Sequence, residues 1–170
     1  IAVTYGPGLE MCLWEGISFA KNLAEKWKVP LIPVNHMEGH ILSVFGKNKG
    51  KFTIPKVQTP AISLLVSGGH TQLVLMKDFG KYEIIGKTLD DAVGEAFDKV
   101  ARMLDLPYPG GPQISKLAEE ERKIQGLALN FKARPCIFSL PRPMLHSKNF
   151  DFSFAGLKTA VLYLIEKIKP

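Results

Sequence analysis

The stretch Asn35-His36-Met37-Glu38-Gly39-His40 carries two of the four histidines of this 170-residue chain. In a helix, side chains four residues apart lie on one face, about 40° apart around the axis. Two imidazoles placed in this way can bind one divalent cation. Asn35 has the side chain of a helix N-cap, and Gly46 is expected to end the helix. The stretch therefore predicts a short helix that presents two metal-ligand side chains together.

The same stretch does not fit a zinc protease. Such enzymes place a glutamate directly after the first histidine, where it also reaches the metal-bound water. Glu38 lies two residues after His36, about 200° around the helix, so it points away from the histidine face. Two ligands alone do not make a metal site, and one capping and one packed histidine would give the same spacing.

The segments on either side of this stretch alternate between strand and helix patterns. Residues 1–4 and 31–34 read as short strands, and the apolar residues between positions 10 and 27 follow a helical period. Strand–helix alternation predicts a parallel α/β layer. The basic segment over residues 47–51 reads as a solvated loop. We place the end of this first α/β segment at residue 56 and assign residues 57–170 to a second segment.

The second segment begins with two β-rich runs, residues 61–67 and 70–76, joined by Gly68 and Gly69. Gly-Gly between two strands predicts a tight hairpin. Glycine backbones can also turn successive N–H groups into one concavity that suits a phosphate, and Ser67 and Thr71 add hydroxyl groups there. A plain hairpin turn and an anion-binding loop both fit these residues.

A strand over residues 82–88 and three helices are expected to follow. The helix over residues 90–104 is predicted to bury Ala92, Ala96 or Phe97, Val100 and Leu104, and to carry Asp91, Glu95 and Asp98 on one flank. Such carboxylates form a solvated face or hold hydroxyl groups or a cation. A Pro-Gly turn over residues 107–112 precedes a helix over residues 113–123. An extended segment is expected over residues 136–140, and Asp151 or Ser153 is expected to cap a last helix that runs to residue 168.

Composition limits the class of protein. No apolar run approaches the roughly 18 residues of a membrane span, and the two cysteines have neither metal nor disulfide-framework spacing. We therefore expect a cytoplasmic protein with no membrane partner. The net charge of +6 favours an anionic partner, nucleic acid first, although a generic basic surface gives the same charge. The chain opens inside a strand, so we expect an internal piece of a longer protein.

With these motifs taken together, the chain resembles the tRNA threonylcarbamoyladenosine transferases, in the bacterial and organellar branch once called O-sialoglycoprotein endopeptidases. The resemblance rests on motifs that follow the family's order over nearly the whole chain: residues 6–9, 16–21, 35–40, 65–73, 90–99, 108–112 and 151–159. It implies an actin-like ATPase fold, ribonuclease H-like and two-lobed, which this chain contains incompletely.

The resemblance also implies a reaction and its site. A threonylcarbamoyl group would pass from threonylcarbamoyl-AMP to N6 of the adenosine next to the tRNA anticodon. His36 and His40 match two ligands of the family's single metal ion, usually iron and sometimes zinc. Substrate-binding positions of the family match Leu65, Val66, Ser67, Gly68, Gly69, Asp98 and Gly111. No residue of this chain matches a catalytic acid or base.

The resemblance leaves parts of the site outside this chain. A third metal ligand, an aspartate, and an asparagine that contacts the nucleotide belong to later segments of the family, and many members have aspartate where Ser115 stands. We therefore expect the chain on its own to be aggregation-prone and to transfer no threonylcarbamoyl group.

The implied partners are tRNA, a paralogous subunit and a small ATPase, with residues 10–27 as a protein-binding surface. The alternatives are a kinase or ATPase of the same fold, which needs no histidine pair, and a non-catalytic partner-binding module.

Overall fold

The computed structural model describes residues 1–48, 52–53, 57–124 and 138–168 of the chain. The order of elements is mixed α/β, as the sequence predicts. The strands are β1 (Ala2–Gly6), β2 (Ile32–Asn35), β3 (Lys47–Asn48), β4 (Phe52–Thr53), β5 (Ala61–Val66), β6 (Thr71–Asp78) and β7 (Lys81–Lys87). The helices are α1 (Glu10–Trp27), α2 (His36–Ser43), α3 (Val93–Met103), α4 (Gly110–Ile124) and α5 (Ala155–Ile168). No described helix is long and apolar enough to cross a membrane.

The first segment is a β–α–β–α unit. Strands β1 and β2 pair in parallel, with Ala2 opposite Ile32 and Thr4 opposite Val34, which confirms the predicted parallel layer. Helix α1 buries Ala20 and Ala24 and ends at Lys28, whose left-handed backbone returns the chain to β2. The predicted loop over residues 47–51 is wrong at its start, because Lys47 and Asn48 form β3 and pair with β4. Residues 49–51 lie outside the described part of the chain.

The second segment begins with an antiparallel sheet of order β5–β6–β7. Strands β5 and β6 pair from Ala61 opposite Met76 to Val66 opposite Thr71, which confirms the predicted hairpin. Gly80, with a φ of +77°, makes the turn from β6 to β7, where glycine avoids the Cβ clash of left-handed backbone.

Helix α2 joins the two segments by packing on this sheet. Ile41 lies in a buried cluster with Leu65, Val74 and Met76, and Met76 is 0% exposed. Around this cluster pack Met37, Phe45, Val57, Ala61 and Tyr82. The core therefore contains residues from both sides of residue 56, and the boundary we place there stays a prediction. Asn35 caps α2 as expected, because its Oδ1 accepts a hydrogen bond of 2.8 Å from the Met37 N–H.

Helix α3 packs against both α4 and α5. Ala92, Ala96 and Ala101 are buried, so the predicted stripe of α3 is right at Ala92 and Ala96. It is wrong at Leu104, which remains 43% exposed, and Phe97, the alternative to Ala96, is 39% exposed. The stripe is displaced because Ala101 lies where the backbone of Gly110 approaches α3, and a Cβ at Gly110 would collide with the Ala101 methyl group.

Two adjacent aspartates tie α5 to the rest of this segment. Asp90 Oδ1 accepts hydrogen bonds from the N–H groups of Phe154 and Ala155, at 2.7 and 3.2 Å. The predicted cap by Asp151 or Ser153 is therefore wrong. Asp151 instead accepts from the Lys87 N–H, and the Ser153 hydroxyl donates to Asp90. The helix end is capped by a residue that lies 64 positions earlier in the chain.

Asp91 binds two lysines from different helices. Its oxygens accept hydrogen bonds from Lys99 Nζ of α3 at 2.7 Å and from Lys158 Nζ of α5 at 2.6 Å. Its side chain is only 15% exposed. The hydrogen bonds from Lys158 and Lys99 hold the pKa of Asp91 below its ordinary value of 3.8. Asp91 therefore stabilises the folded chain only while it is ionised.

This linkage predicts an acid-sensitive contribution to stability. Asp91→Asn should lower the free energy of unfolding by about 1.5–3 kcal/mol at pH 7, the range for hydrogen bonds to charged groups. Because the folded pKa is depressed, the contribution is complete above the unfolded pKa and disappears as pH falls through the folded pKa. Urea unfolding at several pH values from 7 to 3 should show the difference between wild type and Asp91→Asn shrinking.

The matched control is Glu120→Gln, which removes an exposed carboxylate 3.9 Å from Lys116. It should change stability by less than about 0.5 kcal/mol at every pH. If wild type is more stable than Asp91→Asn by the same amount at pH 7 and pH 3, the ionised Asp91 carboxylate is not the source of the difference.

Candidate functional site

Helix α2 presents His36 and His40 together on a solvent-exposed face. Their Nε2 atoms lie 3.0 Å apart. The ring centroids lie 4.4 Å apart, with the ring planes at 72°. The Asn35 cap fixes the start of the helix at His36. His36 and His40 then lie one turn apart on this face. The spacing of the two histidines predicted this juxtaposition.

The geometry of the pair fits one metal ion. A divalent ion such as zinc lies about 2.0–2.1 Å from each histidine nitrogen. Two nitrogens 3.0 Å apart can both meet that distance on one ion. No group of three or more potential ligands occurs among residues 1–48, 52–53, 57–124 and 138–168. The described residues thus bring together two potential ligands, His36 and His40. Their role as metal ligands stays a prediction.

Glu38 lies on another side of α2. Burial raises the pKa of the Tyr82 phenol of β7 above its ordinary value, and the charge and an acceptor oxygen of Glu38 raise it further. On an α-helix, residue 38 is about 160–200° from the two histidines. The arrangement agrees with the prediction that Glu38 cannot serve the histidine pair as a protease base.

The Gly68–Gly69 turn is held from inside by Ser67. The Ser67 N–H donates to the His70 carbonyl at 2.9 Å, closing the two-residue turn. The Ser67 Oγ accepts from the N–H groups of Gly69 and His70, at 3.3 and 3.0 Å. The Gly69 and His70 N–H groups thus point at the Ser67 side chain and not at a ligand position. These two hydrogen bonds order the loop.

The fold itself does not demand glycine at positions 68 and 69. Neither residue has a φ in the left-handed region, unlike Gly80. A Cβ built at either position would meet no atom within 4 Å. Open space beside two glycines is what a closely approaching ligand needs. The anion-binding interpretation of the hairpin tip therefore stays a prediction beside that of a plain turn.

The first turn of α3 lies directly against this loop. A Cβ at Gly94 would be 2.6 Å from the Ser67 carbonyl oxygen and 2.9 Å from the Gly68 Cα. Thr71, at the start of β6, is 2% exposed, and its Oγ1 accepts from the Val93 N–H at 2.9 Å. The partial positive charge of the α3 N-terminus thus faces the hairpin tip, where it favours an anion.

Asp98 lies one helical turn further along α3 and binds the start of α4. Its Oδ1 accepts hydrogen bonds from the N–H groups of Gly110 and Gly111, at 2.8 and 3.2 Å. Both bonds use the same oxygen, so Oδ2 is the atom of Asp98 that could accept hydrogen bonds from a ligand. A cavity of about 60 Å³ adjoins this position, lined by Asp98, Ala101, Arg102, Leu106, Pro107, Tyr108 and Gly110. Helix α4 begins at Gly110, three residues before the predicted start, because Asp98 caps it.

The three carboxylates predicted to share one flank of α3 do not act together. Asp91 precedes the helix, and it and Glu95 bind Lys99, at 2.7 and 2.8 Å. Asp98 is engaged separately with α4. The prediction of one acidic face is therefore wrong, because the helix begins at Val93 and leaves Asp91 on the preceding turn.

Two residues that build the loop have roles other than the sequence predicts: Gly94 is not among the expected site residues, and the Thr71 hydroxyl is expected to face an anion. Gly94 permits the contact between α3 and Ser67, and Thr71 caps α3 from 22 positions away. A glycine inside a strongly amphipathic helix was the available signal, since glycine there costs about 1 kcal/mol relative to alanine. Nothing local in the sequence marks Thr71 as a cap. Of the predicted loop residues, Leu65 is buried in the core and Val66 is exposed.

Comparison with known proteins gives a match over almost the whole chain. The model of the family described as tRNA N6-adenosine threonylcarbamoyltransferase matches residues 1–169. Curated proteins of that name are similar to this chain. The one from Chromobacterium violaceum is 52% identical over 167 residues, 98% of this chain and 44% of its own length.

Relatives from distant bacteria give the same result. The protein of Thermomicrobium roseum is 52% identical over 98% of this chain and 42% of its own length. The protein of Thermosipho africanus is 50% identical over 98% of this chain and 45% of its own length. The chain therefore spans less than half the length of these curated relatives.

The Asp98 geometry predicts that two substitutions have different effects on stability. Asp98→Ala removes the acceptor of two α4 amides and should cost about 1–2 kcal/mol, as loss of a helix cap does. Asp98→Asn keeps an oxygen in the Oδ1 position and should cost less than half as much. Denaturant unfolding of both variants measures the difference. Lys116→Ala, on the exposed face of α4, is the control and should be within about 0.5 kcal/mol of wild type. If Asp98→Ala and Asp98→Asn lose equal stability, the hydrogen bonds from the α4 amides to Oδ1 are not what Asp98 contributes.

Proposed function

The chain belongs to the tRNA N6-adenosine threonylcarbamoyltransferase family, and from that premise we propose a function for the full-length protein. It transfers the threonylcarbamoyl group of threonylcarbamoyl-AMP to N6 of the adenosine next to the tRNA anticodon. Its fold is the actin-like, two-lobed fold, to which this chain contributes part of each lobe. The observation that carries the proposal is the arrangement of the Gly68–Gly69 loop and Asp98 along α3.

Helix α3 sets a spacing that suits a nucleotide. Gly94 touches the loop, and Asp98 lies four residues later, about 6 Å along the helix axis at 1.5 Å per residue. Within one nucleotide, the phosphate and the ribose hydroxyls are separated on this scale. We assign the phosphate of threonylcarbamoyl-AMP to the loop formed by Leu65, Val66, Ser67, Gly68 and Gly69. We assign the ribose hydroxyls to Asp98, because carboxylates commonly accept their hydrogen bonds.

Gly111 completes this nucleotide site. Its N–H donates to Asp98 Oδ1, so the two residues form one wall of the site. Helix α4 begins beside this wall, and its N-terminal N–H groups favour electronegative atoms of the ligand.

The histidine pair is assigned to one metal ion, iron in most members and zinc in some. His36 and His40 would hold it, and we expect the third ligand to be an aspartate outside this chain. When bound, the ion acts as a Lewis acid that polarises the carbamoyl carbonyl and stabilises negative charge on its oxygen.

The residues of this chain act on the leaving group and on orientation. In the transfer, the adenosine N6 forms a bond to the carbamoyl carbon, the bond from that carbon to the phosphate oxygen breaks, and N6 loses a proton. The loop and the α3 N-terminus stabilise the negative charge of the departing AMP phosphate. Asp98 holds the ribose and thereby the reacting carbon in place. We assign no catalytic acid or base to this chain.

The partners follow from charge and from exposed apolar side chains. The net charge of +6 suits the tRNA backbone. Helix α1 leaves Met11, Trp14 and Phe19 exposed at 80%, 60% and 67%, and exposed apolar clusters mark protein interfaces. We assign this surface to the paralogous subunit of a complex that also contains a small ATPase. We place the complex in the cytoplasm, where its tRNA substrate is found.

The metal assignment predicts loss of metal on substitution of either histidine. In the full-length protein, His36→Ala and His40→Ala should each remove most of the bound metal and abolish transfer, because one remaining histidine cannot hold the ion in place. Metal analysis of the purified variants and incorporation of labelled threonine into tRNA, with the partner proteins supplied, measure both effects. His146→Ala removes an exposed histidine outside the site and is the matched control. Unchanged metal content in both site variants would refute the assignment.

The nucleotide assignment predicts separable losses. Gly69→Val should abolish adenylate binding while the protein stays folded, because its Cβ points into open space rather than at another protein atom. Asp98→Asn should weaken binding by about 1–3 kcal/mol through the lost acceptor for a hydroxyl. Calorimetry with an adenylate analogue measures both. The control is Gly156→Ala, whose Cβ would make only an ordinary contact of 3.7 Å with Pro143. Wild-type affinity in folded Gly69→Val would rule out the loop.

A further inference from the structure

The segment that leads into α5 is attached to the end of β7. The Phe152 N–H donates to the Lys87 carbonyl at 2.9 Å, and the Leu89 N–H donates to the Phe152 carbonyl at 2.9 Å. Asp151 Oδ1 accepts from the Lys87 N–H at 3.0 Å, and Phe152 forms a parallel bridge with Thr88. These contacts fix the backbone that directly follows residue 150.

Phe150 is exposed although its backbone is fixed. Its main chain lies on β7 at Gly86, where a Cβ would collide with the Phe150 carbonyl group. Gly86 itself is buried, but Phe150 remains 64% exposed. Because the backbone is already ordered, a partner that covers this aromatic ring causes little further loss of conformational entropy.

The loop before Phe150, residues 141–149, is ordered by its own hydrogen bonds. The Ser147 N–H and hydroxyl both donate to the Met144 carbonyl, at 3.0 and 2.8 Å. Met144 and Lys148 have left-handed backbone, with φ of 65° and 58°. This conformation is unfavourable for a residue with a side chain, and such strain is commonly found at binding sites.

The same loop is basic. Arg142 and Lys148 are both exposed, and no acidic residue lies between positions 141 and 150. The acidic residue that follows the loop, Asp151, already accepts a backbone hydrogen bond from β7. The loop therefore combines two exposed cations with the exposed ring of Phe150.

A cavity of about 290 Å³ adjoins these residues and is lined by the loop and by the start of α5. Its wall includes Arg142, Phe152 and Phe154. The two phenylalanine rings are stacked, with their centroids 6.3 Å apart. Unpaired RNA bases stack on aromatic rings and on the plane of an arginine guanidinium. The cavity thus has the wall chemistry that suits a base outside a helical stack.

We propose that Arg142, Lys148 and Phe150, together with this cavity, form a binding surface for a single-stranded loop of RNA. Arg142 and Lys148 contact backbone phosphates, Phe150 stacks on one base, and the cavity admits a second base. The net charge of +6 has the complementary sign. The inference rests on the proposed function for the identity of the RNA, because the adenosine beside a tRNA anticodon belongs to an unpaired loop.

The first measurement follows binding of a fluorescent hairpin RNA of anticodon-arm sequence to the full-length protein. Phe150→Ala should weaken binding about 5- to 150-fold, the range for loss of one base–aromatic stack. Phe150→Tyr keeps a ring and should restore near wild-type affinity, whereas Phe150→Leu should not. Phe79→Ala is the matched control, because Phe79 is 60% exposed in the turn at the opposite end of β7 from Gly86.

The second measurement repeats the titration at several salt concentrations. Arg142→Gln and Lys148→Gln should each lower the slope of log affinity against log salt by about 0.7, as loss of one phosphate contact on a single strand does. Each should weaken binding by the same factor for hairpins of different loop sequence. Lys81→Gln removes an exposed cation elsewhere on β7 and should leave the slope unchanged.

The outcomes separate this inference from the proposed function. If the Phe150, Arg142 and Lys148 variants all bind the hairpin as wild type does, or if wild type binds no hairpin, the inference is wrong. Full recovery in Phe150→Leu would also overturn it, because leucine packs against protein but cannot stack on a base. If the variants lose the hairpin as expected but wild type transfers no threonylcarbamoyl group to tRNA, the proposed function is wrong and the RNA-binding surface stands.

Discussion

The contact of Ile41 with Leu65, Val74 and Met76 connects the histidine helix to the glycine hairpin. Ile41 directly follows His40, and Leu65 lies three residues before Gly68, so one buried cluster supports both parts of the proposed site. Burial of each such side chain contributes about 1.5–3 kcal/mol, and interiors are packed too densely to let one element slide past another without loss. A substitution in this cluster would therefore disturb the histidine pair and the hairpin together. That dependence explains why a helix of eight residues, too short to be stable alone, can hold two metal-ligand side chains in place.

Helix α3 supplies the second constraint, and it acts through its first turn and through Asp98 at its middle. Thr71 and Gly94 hold its first turn against the hairpin, and Asp98 holds the start of α4. Asp91 and Asp90 then attach α5 to the same region. The loop, the carboxylate and the wall formed by Gly111 are thus positioned by one rigid element rather than by separate loops. Rigid placement matters for transfer chemistry because a displacement of about 1 Å of a positioning group lowers the rate severely.

The sequence was sufficient for elements whose determinants are local. The Asn35 cap, the spacing of His36 and His40 and the two-residue turn at Gly68–Gly69 all depend on neighbours in the chain. It was insufficient wherever the partner is distant. Asp90 caps α5 across 64 positions, and local rules assigned that cap to Asp151 or Ser153, which lie beside the helix. Phe97 and Leu104 fit the apolar period of α3, yet the close approach of Gly110 buries Ala101 instead. Periodicity finds a helix face, but the neighbour that packs on it decides which residues are buried.

The described glycines differ in whether packing requires them. At Gly86, Gly94 and Gly110 a Cβ would collide with backbone or with a buried methyl group, so packing alone requires glycine. At Gly39, Gly68 and Gly69 a Cβ would meet nothing within 4 Å, and none of the three has left-handed backbone. Gly39 even carries the cost of about 1 kcal/mol that glycine imposes inside a helix. No contact of Gly39 in the described structure offsets that cost. Gly39 adjoins His40, and Gly68 and Gly69 form the hairpin tip. Gly16 in α1 also meets nothing within 4 Å, so open space beside a glycine does not by itself mark a ligand-binding position. Under the proposed function, the open space at Gly39, Gly68 and Gly69 is room for the substrate between the metal ion and the phosphate loop.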